Sequence, residues 1–331
     1  MATSGSYNFS VNRDDILAEG YRVARLIGQD QVMNARDIAD GAMALNLIVK
    51  QWQAKSDFAP GLKVWSRKRL TLFLAKGQSR YLIGPASTDA RCTEQYGRTT
   101  ISAAEALGQT VISITSNTDT TTYPGTTVTM TSGDFVAVEL NDGTLQWTTI
   151  SGTPAATMTV ADALTASASA GNYVYWFTSR AQRFPLIEYA ALRIFGSTAG
   201  KATDQGLAIY RDVQEYESLP DKTASGDPTA ILIEPLRITT AVTLNSQPQD
   251  VRKVVQLTAQ YPSEDYDTLT DDVAYPQEWY RALAYQLGMD LCIRGGKAIS
   301  PDLKLMRDEA LSMAQQVNFE TSGRYFEPER Y

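Results

Sequence analysis

The residues of this chain whose types and spacing could do chemistry are its carboxylates, its aromatic clusters and one basic triplet. Glu139 and Asp142 flank a turn signal, and a carboxylate pair is the machinery of glycoside hydrolysis. Adjacent hairpin carboxylates arise just as readily without catalysis, so the expectation here is no enzyme. Glu264, Asp265, Asp267, Asp271 and Asp272 form an acidic run that could bind a divalent cation or line a channel. The run lacks the ligand spacing and bend glycine of a calcium loop, which favours a solvated loop. Trp147 and Trp176, with Tyr173 and Tyr175, could stack against sugar rings or fill a small β-domain. Arg67-Lys68-Arg69 is the dense basic cluster, able to touch DNA or an acidic neighbour, or simply to be exposed. Cys92 and Cys292 match no CxxC or zinc spacing and read as two thiols in a reducing compartment. The chain has no histidine. That removes Ser-His-Asp and Cys-His nucleophilic systems and histidine metal sites. Neither a cofactor nor a metal is expected.

Bulk properties narrow the classes further. Of 331 residues, 43% are hydrophobic, enough for a sizeable core, and the net charge is −7. A protein that grips nucleic acid by its phosphates needs excess Lys and Arg, so the balance argues against that class, while an acidic wall that DNA slides past without sticking is compatible with it. No apolar run approaches membrane-spanning length, and the opening "MATSGSYNFSVNRDD" lacks the pattern of a secretory signal.

The elements that must position these residues fall into an order. "NRDDI" (12–16) is echoed by "NARDI" (34–38). Asn12 and Asn34 are N-caps, with Asp15 and Asp37 at the third helical position. Ile16, Gly20, Val23 and Ile27 mark one face of the first helix, with Gly28 as its stop. Ile38, Leu45, Ile48, Val49 and Trp52 mark the second. From about residue 60 the period becomes that of strands, around a Lys76-Gly77 turn. Residues 101–180 are rich in Thr, Ser, Ala and Gly, with Asn141-Asp142-Gly143 as a hairpin signal. The stretch 271–296 returns to helix, with Trp279, Leu283, Leu287 and Leu291 stacked four apart. Gly295-Gly296 ends it. Ser300-Pro301 starts a last helix, with Leu303, Met306, Ala310, Met313 and Val317 as its stripe.

Helices at both chain ends imply that residues 12–53 pack against 276–318. The expected fold class is α+β: a helical bundle from the N- and C-terminal helices, a β-rich middle and an inserted all-β, sandwich-like domain. Residues 1–100 and 181–318 form the body, 101–180 the insert, and 319–331 an extended tail. An insertion needs its ends close together, so Thr99 and Arg180 are expected to be neighbours.

The paired signal "NRDDILAEGYRVARLIG…NARDIADGAMALNLIVKQWQ", then "VW" and "RLTLFLAKGQSRYLIGP", resembles the head-to-tail adaptor family of short-tailed bacteriophages, also called connector or packaged-DNA stabilisation proteins. So does the order "SLPDKTASGDPTAILIEP", "YPQEWYRALAYQLGMDLC" and a Ser-Pro-initiated helix. The likeness covers 1–100 and 181–318, and the 101–180 module departs from compact members. The resemblance implies a virion structural protein at the head-tail junction, assembled in the host cytoplasm. It implies a homo-oligomeric ring, usually twelve-fold, that docks on the portal protein. Such a ring extends the DNA channel, helps retain packaged DNA and gives the tail proteins a platform, with no membrane partner. Phe319, Tyr325, Phe326 and Tyr331 are the expected portal contacts, because aromatics are preferred interface anchors; a tail folded back on its own chain is the other reading. The alternative function is a tail-associated receptor- or carbohydrate-binding protein acting through the β insert.

Overall fold

In the computed structural model, Asn12 and Asn34 each complete a capping box. Residues 9–28, 30–56, 59–61, 64–84, 91–123, 125–196 and 201–317 are described. The Asn12 side chain accepts from the Asp15 amide at 2.9 Å, and Asp15 accepts from the Asn12 amide at 3.1 Å. Asn34 and Asp37 repeat the exchange at 2.9 and 3.2 Å. These caps start α1 (Arg13–Val23) and α2 (Ala35–Trp52). The first helix ends before the expected stop at Gly28. Arg25 takes a left-handed φ of 54°, and the amides of Arg25 and Leu26 donate to Arg22 and Tyr21 carbonyls at 2.9 and 3.0 Å. That paired bonding satisfies the orphan carbonyls around an arginine, where glycine is usual.

The chain divides into two compact units, one comprising residues up to 66 and from 262, the other residues 67–261. In the first, a short hairpin of β1 (Lys55–Ser56) and β2 (Ala59–Pro60) follows α2. The later helices are α4 (Tyr280–Arg294) and α5 (Pro301–Val317). Helix α4 is shorter than its sequence pattern: only a 3-10 turn over Gln277–Trp279 precedes it. The residues before that turn pair with the chain's beginning instead. Arg13 donates to the Asp271 carbonyl at 3.0 Å and Val273 to the Val11 carbonyl at 3.2 Å.

The two ends of the chain share one core. Trp279, Leu283, Leu287 and Leu291 are buried with Ile16, Leu17 and Tyr21 of α1 and Leu45, Ile48, Val49 and Trp52 of α2. Each such side chain gains roughly 1.5–3 kcal/mol on burial. Glycine brings α1 and α4 close: a Cβ on Gly288 would lie 2.7 Å from Val23 Cγ2 and 3.1 Å from the Gly20 carbonyl. Helices α1, α2 and α5 all pack on α4. The stripe expected on α5 is shifted. Leu303 and Ala314 are buried, with Ala310 and Leu311 partly so, while Met306 and Met313 face out. Leu303 and Leu311 with the small Ala310 and Ala314 form the inward row.

Among the described residues of the second unit, strands are joined by turns and loops and one short helix, α3 (Val213–Glu217). Its strands run β3 (Arg67–Phe73), β4 (Arg80–Ile83), β5 (Cys92–Thr93), β6 (Gly97–Thr100), β7 (Val111–Ser113), β8 (Thr118–Asp119) and β9 (Val128–Thr129). Next come β10 (Phe135–Glu139), β11 (Leu145–Ser151), β12 (Thr157–Val160), β13 (Tyr173–Phe177) and β14 (Leu186–Phe195). The last are β15 (Ala202–Gly206), β16 (Ala208–Tyr210), β17 (Ala230–Pro235), β18 (Thr240–Leu244) and β19 (Val254–Gln260). Two sheets, β15-β14-β19-β3-β5 and β16-β17-β18-β4, share a core that includes Leu70, Leu72, Phe184, Tyr81, Ile231 and Val242. The Lys76-Gly77 turn forms, with Gly77 at φ 75°. Its two arms nevertheless enter opposite sheets, β3 pairing with β19 and β4 with β18. Tyr81 pins this corner, accepting from the Ala75 amide at 2.9 Å and donating to the Gln78 carbonyl at 2.8 Å.

The inserted strands order as β6-β13-β10-β11-β12-β7, with β8 and β9 as a separate pair. The sheet then closes on itself. An Ile101–Ile114 bridge joins the ends of β6 and β7, with Thr115 donating to Thr100 at 2.9 Å and Ser102 to Ser113 at 3.0 Å. The module is therefore a barrel rather than the sandwich expected, and closure removes exposed strand edges. Its core includes Ile112, Val136, Val138, Ile150, Met158 and Trp176. Gly97 makes room for that tryptophan: a Cβ there would sit 2.1 Å from Trp176 Cζ2. The insert also closes at other residues than expected. Thr99 lies opposite Val174 in a pairing that ends at Gly97 and Trp176. The two ends of the insert meet beyond it, where Thr93 donates its hydroxyl to the Ser179 carbonyl and the Ala181 amide donates to the Cys92 carbonyl, both at 2.7 Å.

Candidate interaction surface

The candidate chemical groups are held by partners within the fold, some of them remote in sequence. Glu139 ends β10 and is buried. One of its carboxylate oxygens accepts from Arg252 Nε at 2.7 Å and the other from the Tyr173 amide at 2.8 Å. Asp142 sits in the β10–β11 turn and accepts from the Thr144 hydroxyl and amide at 2.7 and 2.9 Å. Those bonds hold its carboxyl below the usual range. Glu139 thus ties the barrel to the loop before β19, while Asp142 shapes its own turn.

The acidic run is dispersed in the same way. Asp265 pairs with Lys50 at 2.7 Å, the Asp267 carbonyl accepts from Arg13 at 3.0 Å, and Asp271 accepts from the Thr268 hydroxyl and amide. Among the described residues, no group of three or more His, Cys, Asp or Glu side chains is placed to hold a metal ion. Both cysteines are buried and free, and burial pushes the Cys92 thiol well up.

The basic triplet lies along β3. Arg67 pairs with Glu188, and Lys68 reaches Glu94 at 2.9 Å and lies 4.7 Å from the Tyr261 ring centroid. Arg69 faces Thr258 across the strand pair. The aromatic set is also structural in its packing. Trp176 is in the barrel core, and Tyr175 is fully buried on the barrel's outer side. There Phe73 of β3 lies 5.0–6.1 Å from the rings of Tyr96, Trp147, Tyr175 and Phe177. Tyr173 has the Arg98 and Arg252 guanidinium carbons 5.2 and 5.0 Å from its ring centroid. Phe319, Tyr325, Phe326 and Tyr331 lie outside the described residues.

Apolar side chains are exposed on both units, Leu107, Tyr189 and Ile238 among them on the β unit, and on the helical unit they gather on helix faces. An open groove of about 700 Å³ runs between residues 9–11, α1 and α4, walled by Phe9, Tyr280 and Tyr285 with Asp15 and Glu19 among its lining. More extensive are the outward helix faces. Met43 and Leu47 on α2, and Leu305, Met306 and Met313 on α5, are between 46% and 66% exposed. Met43 and Leu47 fall outside the stripe expected for α2. A signal for them was present: α2 carries apolar residues beyond what one inward face can bury. No helix among the described residues is long and apolar enough to cross a membrane.

No protein-family model matches the chain, and no curated protein matches it.

Proposed function

We propose that the chain is a virion structural protein, a ring-forming head-to-tail adaptor that docks on a phage portal and extends the DNA channel. It would help retain packaged DNA and present a platform to the tail. The observation that carries this reading is the single helical core made from both ends of the chain, with apolar residues left on the outer faces of α2 and α5. A ring protomer needs a stiff wall that buries surface against its neighbours, and this unit has the makings of one. Glu139 and Asp142 support a non-enzymatic reading, since each is engaged in holding the fold. The burial of Tyr175 and Trp176 weakens the carbohydrate-binding alternative, because buried rings offer a sugar no face to stack on.

Imaging of the purified chain, alone and mixed with portal rings of the same virus, tests the proposal. Rings with rotational symmetry, about twelve-fold if the resemblance holds, are expected, stacked coaxially on the portal. Portal particles that stay bare at saturating protein would overturn the adaptor reading. Binding of an isolated glycan to the full chain would then favour the receptor alternative.

A further inference from the structure

We propose that the β unit binds a small monovalent anion, of the chemistry of chloride, against Arg98, Tyr96 and Tyr175 on the outer side of the barrel. Arg98 on β6 lies directly opposite Tyr175 on β13, a spacing at which side chains on one face meet. Tyr96, two residues earlier, joins the same aromatic core as Tyr175, with their ring centroids 6.3 Å apart. Both tyrosines are fully buried. Among the described residues neither hydroxyl has a hydrogen-bond partner, and the buried Nη1 of Arg98 has none either. Native folds rarely strand even one buried donor. Three in one place point to an acceptor that the chain does not itself supply.

The chemistry of the three groups selects the sign of the ligand. Burial drives the pKa of both phenols up, and the Arg98 charge opposes that only in part, so each keeps its proton and can donate. A guanidinium has donors alone. The Arg98 guanidinium carbon lies 4.0 Å from the Phe195 ring centroid and 5.2 Å from that of Tyr173. These rings hold the guanidinium without offering its N–H groups an acceptor oxygen. The surrounding carboxylates are committed elsewhere. Asp119 accepts from the Arg98 amide and from the amides and hydroxyls of Thr121 and Thr122. Glu139 accepts from Arg252 and the Tyr173 amide, and Asp204 from Arg193. Arg98 is partly exposed, so an ion would enter past it and exchange its water for the two hydroxyls. A sulfate or phosphate would bring more charge and more oxygens than three donors satisfy. Water is the competing occupant, but it needs acceptors for its own hydrogens, whereas an anion uses all three groups as donors.

Thermal melting of the full chain, with chloride replacing gluconate at constant ionic strength, tests the site. The melting temperature of the parent should rise by a few degrees and level off as the ion saturates the fold. Tyr96→Phe/Tyr175→Phe keeps both rings and strands no hydroxyl. It should match or exceed the parent in gluconate and lose most of the response to chloride. Arg98→Met should lose the response as well. A flat parent, or a parent-like rise in either variant, would overturn the proposal. Crystals of the parent grown in bromide locate the ion without any substitution. An anomalous peak beside Arg98 and the two hydroxyls is expected. A bridging water there, with no anomalous signal, would overturn the anion in favour of internal hydration.

Discussion

Glu139 illustrates how a residue with catalytic potential is absorbed by architecture. Its two oxygens serve Arg252 and the Tyr173 amide, and its burial leaves water little access to replace them. Glu139→Ala should therefore cost about 1–3 kcal/mol, the penalty for stranding a buried donor, measured as a lower denaturation midpoint of the β unit. Gly97 makes a stricter demand. With Trp176 Cζ2 only 2.1 Å from the site of a Cβ, Gly97→Ala should cost about 3 kcal/mol or more by overpacking. Near-parent thermal stability of that variant would contradict the close fit of strand and tryptophan. Asp119 brings pH dependence. Burial opposes its charge, but bonds from Thr122, the Thr121 amide and hydroxyl, and the Arg98 amide outweigh that and lower its pKa. A carboxyl with a depressed folded pKa stabilises at neutral pH, and the contribution is lost as pH falls through that folded value. Asp119→Asn should thus lower stability at pH 7 and flatten the acid limb of the stability profile; a parallel downward shift at every pH would refute the role given to its charge.

The elements differ in how plainly the sequence announced them. Asn12 with Asp15 and Asn34 with Asp37 were legible because a capping box is a local exchange between residues three apart. The Trp279–Leu291 row was legible because four large side chains on one helix face must be buried somewhere. The end of α1 was not, since Arg25 holds a left-handed conformation that its residue type does not advertise. Helix α5 misled in part: Leu303 and Ala310 of the expected stripe turn inward, but Leu311 and Ala314 complete the row, and the methionine spacing pointed to the solvent side. Closure of the inserted strands was hidden as well, because the Ile101–Ile114 bridge depends on strand order and not on any local pattern. The site followed the same rule. Carboxylates and aromatics were visible as candidates, but their engagement depends on partners as remote as Arg252 for Glu139 and Phe73 for Tyr175. At this scale the Phe73 cluster carries a prediction. Removing the barrel by joining Thr93 to Arg180 should keep the helical circular dichroism, since the helices have their own core. The same deletion should uncover Phe73, Val251 and Val254 and raise binding of a hydrophobic dye. Loss of the helical signal would contradict the independence of that core.

For the whole molecule, the helical core made from both chain ends is the feature on which the proposed assembly rests. The aromatic residues that follow α5 are the proposed link to the portal, through Phe319, Tyr325, Phe326 and Tyr331. A chain ending at Asn318 should melt like the parent and fail to co-sediment with portal rings, and unchanged co-sedimentation would remove those residues from the account. The ring itself is the claim on which the functional reading depends. Electron micrographs of the full chain incubated with its portal test it most directly. The account predicts a rotationally symmetric ring of this protein continuing the portal channel, and portals left bare, or decorated by scattered single copies, would contradict it.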